Sequence, residues 1–156
     1  MTAQAMATHA GGAAPDQRSG IHLEVVTPEK KVVAEIVDEV VLPGSQGYLG
    51  VLPGHAPLLT DLGIGELTFR RGDTRHYVAL AWGFAEILPE RVTVLAEIAE
   101  RAEEIDRDRA GKARDRAIDR LKSRDGDVDF NRAQVALERS LVRLQVSARV
   151  GPGEPA

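Results

Sequence analysis

The side chains best suited to binding chemistry gather around the stretch Glu100 to Arg116, ERAEEIDRDRAGKARDR. Arg109 and Arg116 stand seven residues apart, which places them on one face of a helix. Arg139 and Arg143 are four apart and share a face of a second helix. If the two segments fold back antiparallel, the start of the first lies beside the end of the second. Both arginine pairs then converge, with Glu100 and Asp106 next to them. Guanidinium groups chelate phosphate oxygens through paired N–H donors, and clustered like charges favour an anion between them. Spacing alone does not require such a site. Arginines interleaved with carboxylates also make a solvated, salt-bridged helix face, and taken by itself the spacing favours that plainer reading.

Other chemistries lack their residues. The chain has no cysteine, so disulfides, thiolate metal sites and cysteine nucleophiles are all excluded. His9, His22, His55 and His76 are isolated from one another. His55 has no second histidine or carboxylate at ligand spacing, so a packed or hydrogen-bonded role is expected and no metal site. No Walker-type phosphate loop, HExxH or GxSxG occurs, and a catalytic function is not expected. A net charge of −4 argues against a general nucleic-acid surface. No apolar run approaches the ~20 residues of a membrane helix, so direct membrane insertion is not expected and any association comes through partners.

The elements that would position the arginines change character near residue 100. From Ile21 onward, short alternating runs separated by Gly, Pro and Asp predict an antiparallel β-sandwich over residues 21–100. Ile21, Leu23 and Val25 begin it, Lys31–Leu42 gives two short strands or one bent one, and Pro43–Gly47 turns. Tyr48 to Thr60 is apolar but broken by Gly and Pro, which predicts an irregular, tightly packed crossing. Gly63–Gly65 predicts a turn, Arg71-Gly72-Asp73 a hairpin, Trp82-Gly83 a break and Pro89-Glu90 a further turn.

From Asp106 the period becomes three and four. Ala110, Ala113, Ala117, Ile118 and Leu121 mark a first helix, and Phe130, Ala133, Leu137, Leu141 and Leu144 a second, capped by Asp127 or Asp129. Residues 101–148 thus predict an antiparallel helical hairpin with a seam of small residues. Residues 1–20 and 149–156 have little to bury and are expected to be disordered.

In Gly47-x-Leu49-Gly50-Val51-Leu52-Pro53-Gly54-His55-Ala56-Pro57, Leu62-Gly63-Ile64-Gly65, Trp82-Gly83-Phe84-Ala85-Glu86 and Val92–Ala96, the chain resembles the epsilon subunit of ATP synthase. The resemblance runs from about Ile21 to Val146, and the first twenty residues exceed the family's usual length. It implies a flattened ten-stranded β-sandwich followed by two helices. It further implies a non-catalytic central-stalk subunit of the proton-translocating synthase, held peripherally at the cytoplasmic face of a bacterial inner membrane. The sandwich would contact the gamma subunit and the c-ring, with His55 and its segment at a stalk contact. The helical arm would extend to the alpha and beta subunits and inhibit ATP hydrolysis.

Some bacterial members hold ATP between the folded helices through an Ile/Leu-Asp-x-x-Arg-Ala motif, matched here by Ile105, Asp106, Arg109 and Ala110. The resemblance extends the expected ATP contacts to Glu100, Arg116, Arg139 and Arg143, the positions that converge in an antiparallel hairpin, and the agreement favours a regulatory nucleotide site. Two alternatives stay open: a purely structural coupling subunit without nucleotide sensing, and a free-standing sandwich adaptor.

Overall fold

The computed structural model describes residues 20–150, so the disorder expected in the first nineteen residues and in 151–156 lies outside the described residues. Seven strands are followed by a single 3-10 turn and two helices. The strands are β1 Ile21–Val26, β2 Lys31–Val37, β3 Glu39–Gly44, β4 Gly47–Val51, β5 Leu58–Arg71, β6 Thr74–Leu88 and β7 Arg91–Arg101. They form one hydrogen-bonded sheet in the order β2-β1-β7-β6-β5-β3-β4. All neighbours are antiparallel except β1 and β7.

The sheet curls until its β2 end covers β5 and β7. Asp38 N–H donates to the Arg70 carbonyl at 2.8 Å. Glu35 accepts from Arg71 at 2.9 Å and from Arg101 at 2.6 Å. The curled faces enclose one core in which Ile21, Leu23, Leu42, Leu67, Phe69 and Ile87 are almost completely buried.

A crease crosses the three long strands at one level. Core-facing residues change parity from Leu62 to Leu67 in β5, from Leu80 to Ala85 in β6 and from Ala96 to Ala99 in β7. Side chains alternate faces along a strand, so a parity change means that the opposite face has turned inward. The break sits at Trp82 (φ 56°) and Gly83 (φ 143°). A Cβ on Gly83 would lie 2.0 Å from the Leu95 carbonyl oxygen, so only glycine fits that approach. Trp82 has a Cβ and occupies the left-handed region at a cost of roughly 1–2 kcal/mol.

Three expectations are corrected here. Gly63–Gly65 is not a turn; it lies within continuous β5, and because β5, β6 and β7 run unbroken through the crease, the described residues form seven strands rather than ten. Tyr48–Thr60 is not tightly packed. Its first part is edge strand β4, and only Val51 in the segment is fully buried, with Leu52 and Leu59 57% and 70% exposed. Arg149 and Val150, placed in the tail by composition, dock against the sandwich instead.

The helices are α1 Arg107–Lys122 and α2 Phe130–Ser147. Each starts at an aspartate cap: Asp106 Oδ1 accepts from Arg109 N–H at 2.9 Å, and Asp129 Oδ1 from Arg132 N–H at 3.0 Å. Their seam is built from Ala110 and Ala117 on α1 and Ala133, Ser140 and Ser147 on α2, at seven-residue steps. The large residues of the anticipated α2 row flank the seam, and Phe130 and Leu141 are about half exposed. Two backbones that approach this closely leave room for small side chains alone.

Candidate functional site

A cavity of about 750 Å³ opens between the hairpin, the outer face of β6 and β7, and the β1–β2 turn. Ala113, Ala117 and Ala136 give it a small-residue back wall on the helix side. Arg109, Arg116 and Arg120 project into it from α1, and Arg139 and Arg143 from α2. The Asp106 cap fixes where α1 begins, and from there positions 109, 116 and 120 recur on one side at steps of seven and eleven.

Five of the eight residues singled out by sequence therefore line one cavity: Glu100, Arg109, Arg116, Arg139 and Arg143. The other three do not. Ile105 packs with Ala79, Ala102 and Val146 beneath the hairpin. Asp106 is spent on the helix cap, and Ala110 is sealed in the helix seam with no exposed surface. These three set the position of Arg109 rather than facing the cavity.

Glu100 ends β7 and meets Arg143 from α2. Arg143 Nη2 donates to Glu100 Oε1 at 3.1 Å, and Nε lies 2.6 Å from Oε2. The angle of the second contact is poor, so the buried Nε–H lacks a hydrogen-bond partner. Arg139 lies over the Trp82 ring, 5.9 Å from its centroid. Among the described residues, Arg109, Arg116, Arg120 and Arg139 have no carboxylate within ion-pair distance.

Local charge decides what the cavity favours. Six cationic side chains (the five arginines and Lys30) and four carboxylates (Glu29, Glu97, Glu100 and Glu104) line it, an excess of two positive charges. The chain as a whole carries −4. Guanidinium stays protonated throughout the physiological range, so this excess is permanent and suits an anion with several oxygens. The donor set and the volume both fit a nucleotide polyphosphate. Among the described residues, no group of three or more histidine, aspartate or glutamate side chains is placed to hold a metal ion.

Sequence reading missed several contributors. Arg120 follows Arg116 by one helical turn, and that spacing was available to find it. Lys30 and Glu104 form a 2.8 Å ion pair at the cavity wall, seventy-four residues apart in sequence. Arg149 donates from Nε and Nη2 to both oxygens of buried Glu66, at 3.1 and 3.2 Å, and lies 5.4 Å from the Tyr77 ring centroid. The Glu66 carboxylate raises the Arg149 pKa above its ordinary value, by hydrogen bond first and charge second. Close to it, Arg107 donates to the Ser147 carbonyl and, at 2.7 Å, to that of Val150, which satisfies acceptors left open at the end of α2.

Residues 20–102 match the family described as ATP synthase, Delta/Epsilon chain, beta-sandwich domain, and 103–148 match its long alpha-helix domain. An ATP synthase epsilon chain from Syntrophobacter fumaroxidans is 52% identical over 129 residues, covering 83% of this chain and 96% of that one. The chain belongs to the ATP synthase epsilon-chain family. One from Nitratidesulfovibrio vulgaris is likewise 52% identical over 126 residues, 81% of this chain and 94% of its own.

The fold also matches a chain in the structure of the Euglena gracilis mitochondrial ATP synthase (OSCP/F1/c-ring), with a TM-score of 0.71 at 23% identity over 96% of this chain and 91% of that one. As an epsilon-family chain it is a non-catalytic subunit of a rotary ATP synthase. No helix among the described residues is long and apolar enough to cross a membrane.

Proposed function

We propose that this chain is a central-stalk subunit of a bacterial proton-translocating ATP synthase whose helical arm senses ATP. The sandwich joins the gamma subunit and the c-ring at the cytoplasmic side of the membrane. The arm inhibits ATP hydrolysis when it extends toward the alpha and beta subunits, and ATP in the cavity between hairpin and sandwich holds it folded. The observation that carries the sensing role is the convergence of five arginines on one cavity, in a chain that is acidic overall. That cavity exists only while the hairpin is closed against β6 and β7, so an anion bound there favours the folded arm by its differential affinity. Straightened, residues 106–147 would span about 60 Å at 1.5 Å per residue, enough to leave the stalk base.

The sandwich offers an apolar outer hollow of about 870 Å³ around Trp82, Phe84 and Leu95, with no cationic residue in its lining. Phe84 and Leu95 are directly paired across β6 and β7 and more than half exposed, which suits a stalk partner. His55 is half-buried with Nδ1 2.7 Å from the Ala56 carbonyl oxygen, in the loop that the same reading assigns to a stalk contact.

Calorimetric titration of the isolated chain with ATP tests the sensing role. Saturable binding that Arg139→Ala weakens at least tenfold is the expected result, and a flat titration refutes it while leaving the stalk role intact. One observation favours a coupling subunit without sensing: the arm is also docked by Arg149, and its hairpin closed by Arg107, through contacts that need no ligand. Hydrolysis assays of the whole complex across ATP concentrations, with and without residues 106–156, separate the two.

A further inference from the structure

Trp82 is the chain's one tryptophan, and among the described residues it is the one non-glycine with a positive φ. A bulky aromatic in the left-handed region is a strained choice where the next residue is already glycine. The side chain accounts for it. One side of Trp82 borders the outer hollow with Val26, Phe84 and Leu95. Its ring also lies under the Arg139 guanidinium, which lines the arginine cavity.

The two α2 arginines that line the cavity are therefore held by different means. Arg143 is held by the Glu100 carboxylate, which orients it and also cancels much of its charge. Arg139 is held by an aromatic face, which orients a guanidinium and leaves its charge available to an anion. We propose that Trp82 is a positioning residue of the nucleotide site, acting through Arg139. It anchors that guanidinium to the crease of the sandwich and aims it at the polyphosphate. This rests on the nucleotide reading of the cavity. It adds that the sandwich, and not the hairpin alone, sets the affinity, through a side chain that touches Arg139 and also lines the hollow beneath Phe84.

The test uses the full chain and ATP itself. Trp82→Gly suits the backbone conformation, so it removes the ring without adding strain. Trp82→Phe keeps an aromatic face and guards against a folding artefact. An orienting cation–π contact at a partly exposed site predicts a two- to fivefold loss of ATP affinity in Trp82→Gly, with most of it recovered in Trp82→Phe. In an Arg139→Gln background, Trp82→Gly is expected to cause no further loss. The tryptophan emission of Arg139→Gln without nucleotide is expected to differ from that of the parent.

A parent that binds ATP while Trp82→Gly binds it equally well overturns the proposal and spares the site. So does an equal loss in the Arg139→Gln background. A parent that does not bind ATP removes the site and this proposal together.

Discussion

Replacing Arg149 by alanine is expected to loosen the folded arm at the end opposite the helix turn. Arg149 holds both oxygens of Glu66, whose side chain is 10% exposed, while its own is 47% exposed. Hydrogen bonds to charged groups contribute about 1.5–3 kcal/mol when buried, and exposed ion pairs about 0.2–1. A bidentate pair with one buried and one half-exposed partner falls between these, at about 1–2 kcal/mol after solvent screening. Loss of the contact should multiply the ratio of undocked to docked arm by roughly 5 to 30.

The chain has no cysteine, so a label pair can be placed cleanly at Asp73→Cys in the β5–β6 turn and Arg124→Cys in the helix turn, both exposed positions. Distance distributions between two spin labels then report the undocked fraction. Glu66→Gln keeps one acceptor and should give a smaller shift. The double variant should add little to Arg149→Ala alone, because the two residues act as one unit. Raising the salt concentration should narrow the gap between parent and variant. If Arg149→Ala and Glu66→Gln both leave the distribution as in the parent, the contact does not hold the arm.

Gly83→Ala should destabilise the sandwich by about 3 kcal/mol in urea unfolding, since its Cβ would strike the Leu95 carbonyl and the Ala96 Cα, backbone atoms that cannot move aside cheaply. Asp106→Ala should cost α1 about 1 kcal/mol through its lost cap, measured by amide exchange, whereas Asp106→Ser should keep the cap. If Asp106→Ser also keeps the ATP affinity, the aspartate of the motif acts through the helix start and not on the ligand. Phe84→Asp, at a site 55% exposed, should change stability by less than about 0.5 kcal/mol but abolish co-elution with the gamma subunit on gel filtration.

The element types were legible because the hydrophobic period shifts from two to three and four at Asp106, and both hairpin turns and the caps carry their usual residues. The convergence of Arg109, Arg116, Arg139 and Arg143 was legible for the same reason, since helical spacing fixes which residues share a side. The Trp82-Gly83 break was visible as a break, whereas Gly63–Gly65 read as a turn. What they do was not visible, because a crease requires three strands to change face together, and single-strand patterns carry no such information. The α2 row Phe130, Leu137, Leu141 and Leu144 misled because periodicity marks apolar rows without saying which row meets the partner helix. Serines at 140 and 147 read as polar and are nevertheless the seam. Arg149 was invisible among glycines and prolines, since its partner lies eighty-three residues away.

The Glu66 contact and the arginine cavity act on the same equilibrium, which sets how they combine. A ligand at about one hundred times its dissociation constant stabilises the state it binds by about 2.7 kcal/mol. The 1–2 kcal/mol assigned to Arg149 is of the same order, so neither device makes the other redundant. If the arm is mostly open without nucleotide, half-closure requires ATP in proportion to the open-to-closed ratio. Arg149→Ala should then raise the ATP concentration for half-closure by roughly the same 5- to 30-fold and leave the intrinsic affinity of the closed cavity unchanged. Arg139→Ala should raise that concentration mainly by the opposite route, weakening the cavity and shifting the ligand-free ratio only by the lost Trp82 contact, about two- to fivefold. Label distances measured at zero ATP and across an ATP titration distinguish the two variants. A shift of the zero-ATP distribution in Arg139→Ala as large as that in Arg149→Ala would mean that the cavity arginines brace the arm directly, with no anion required.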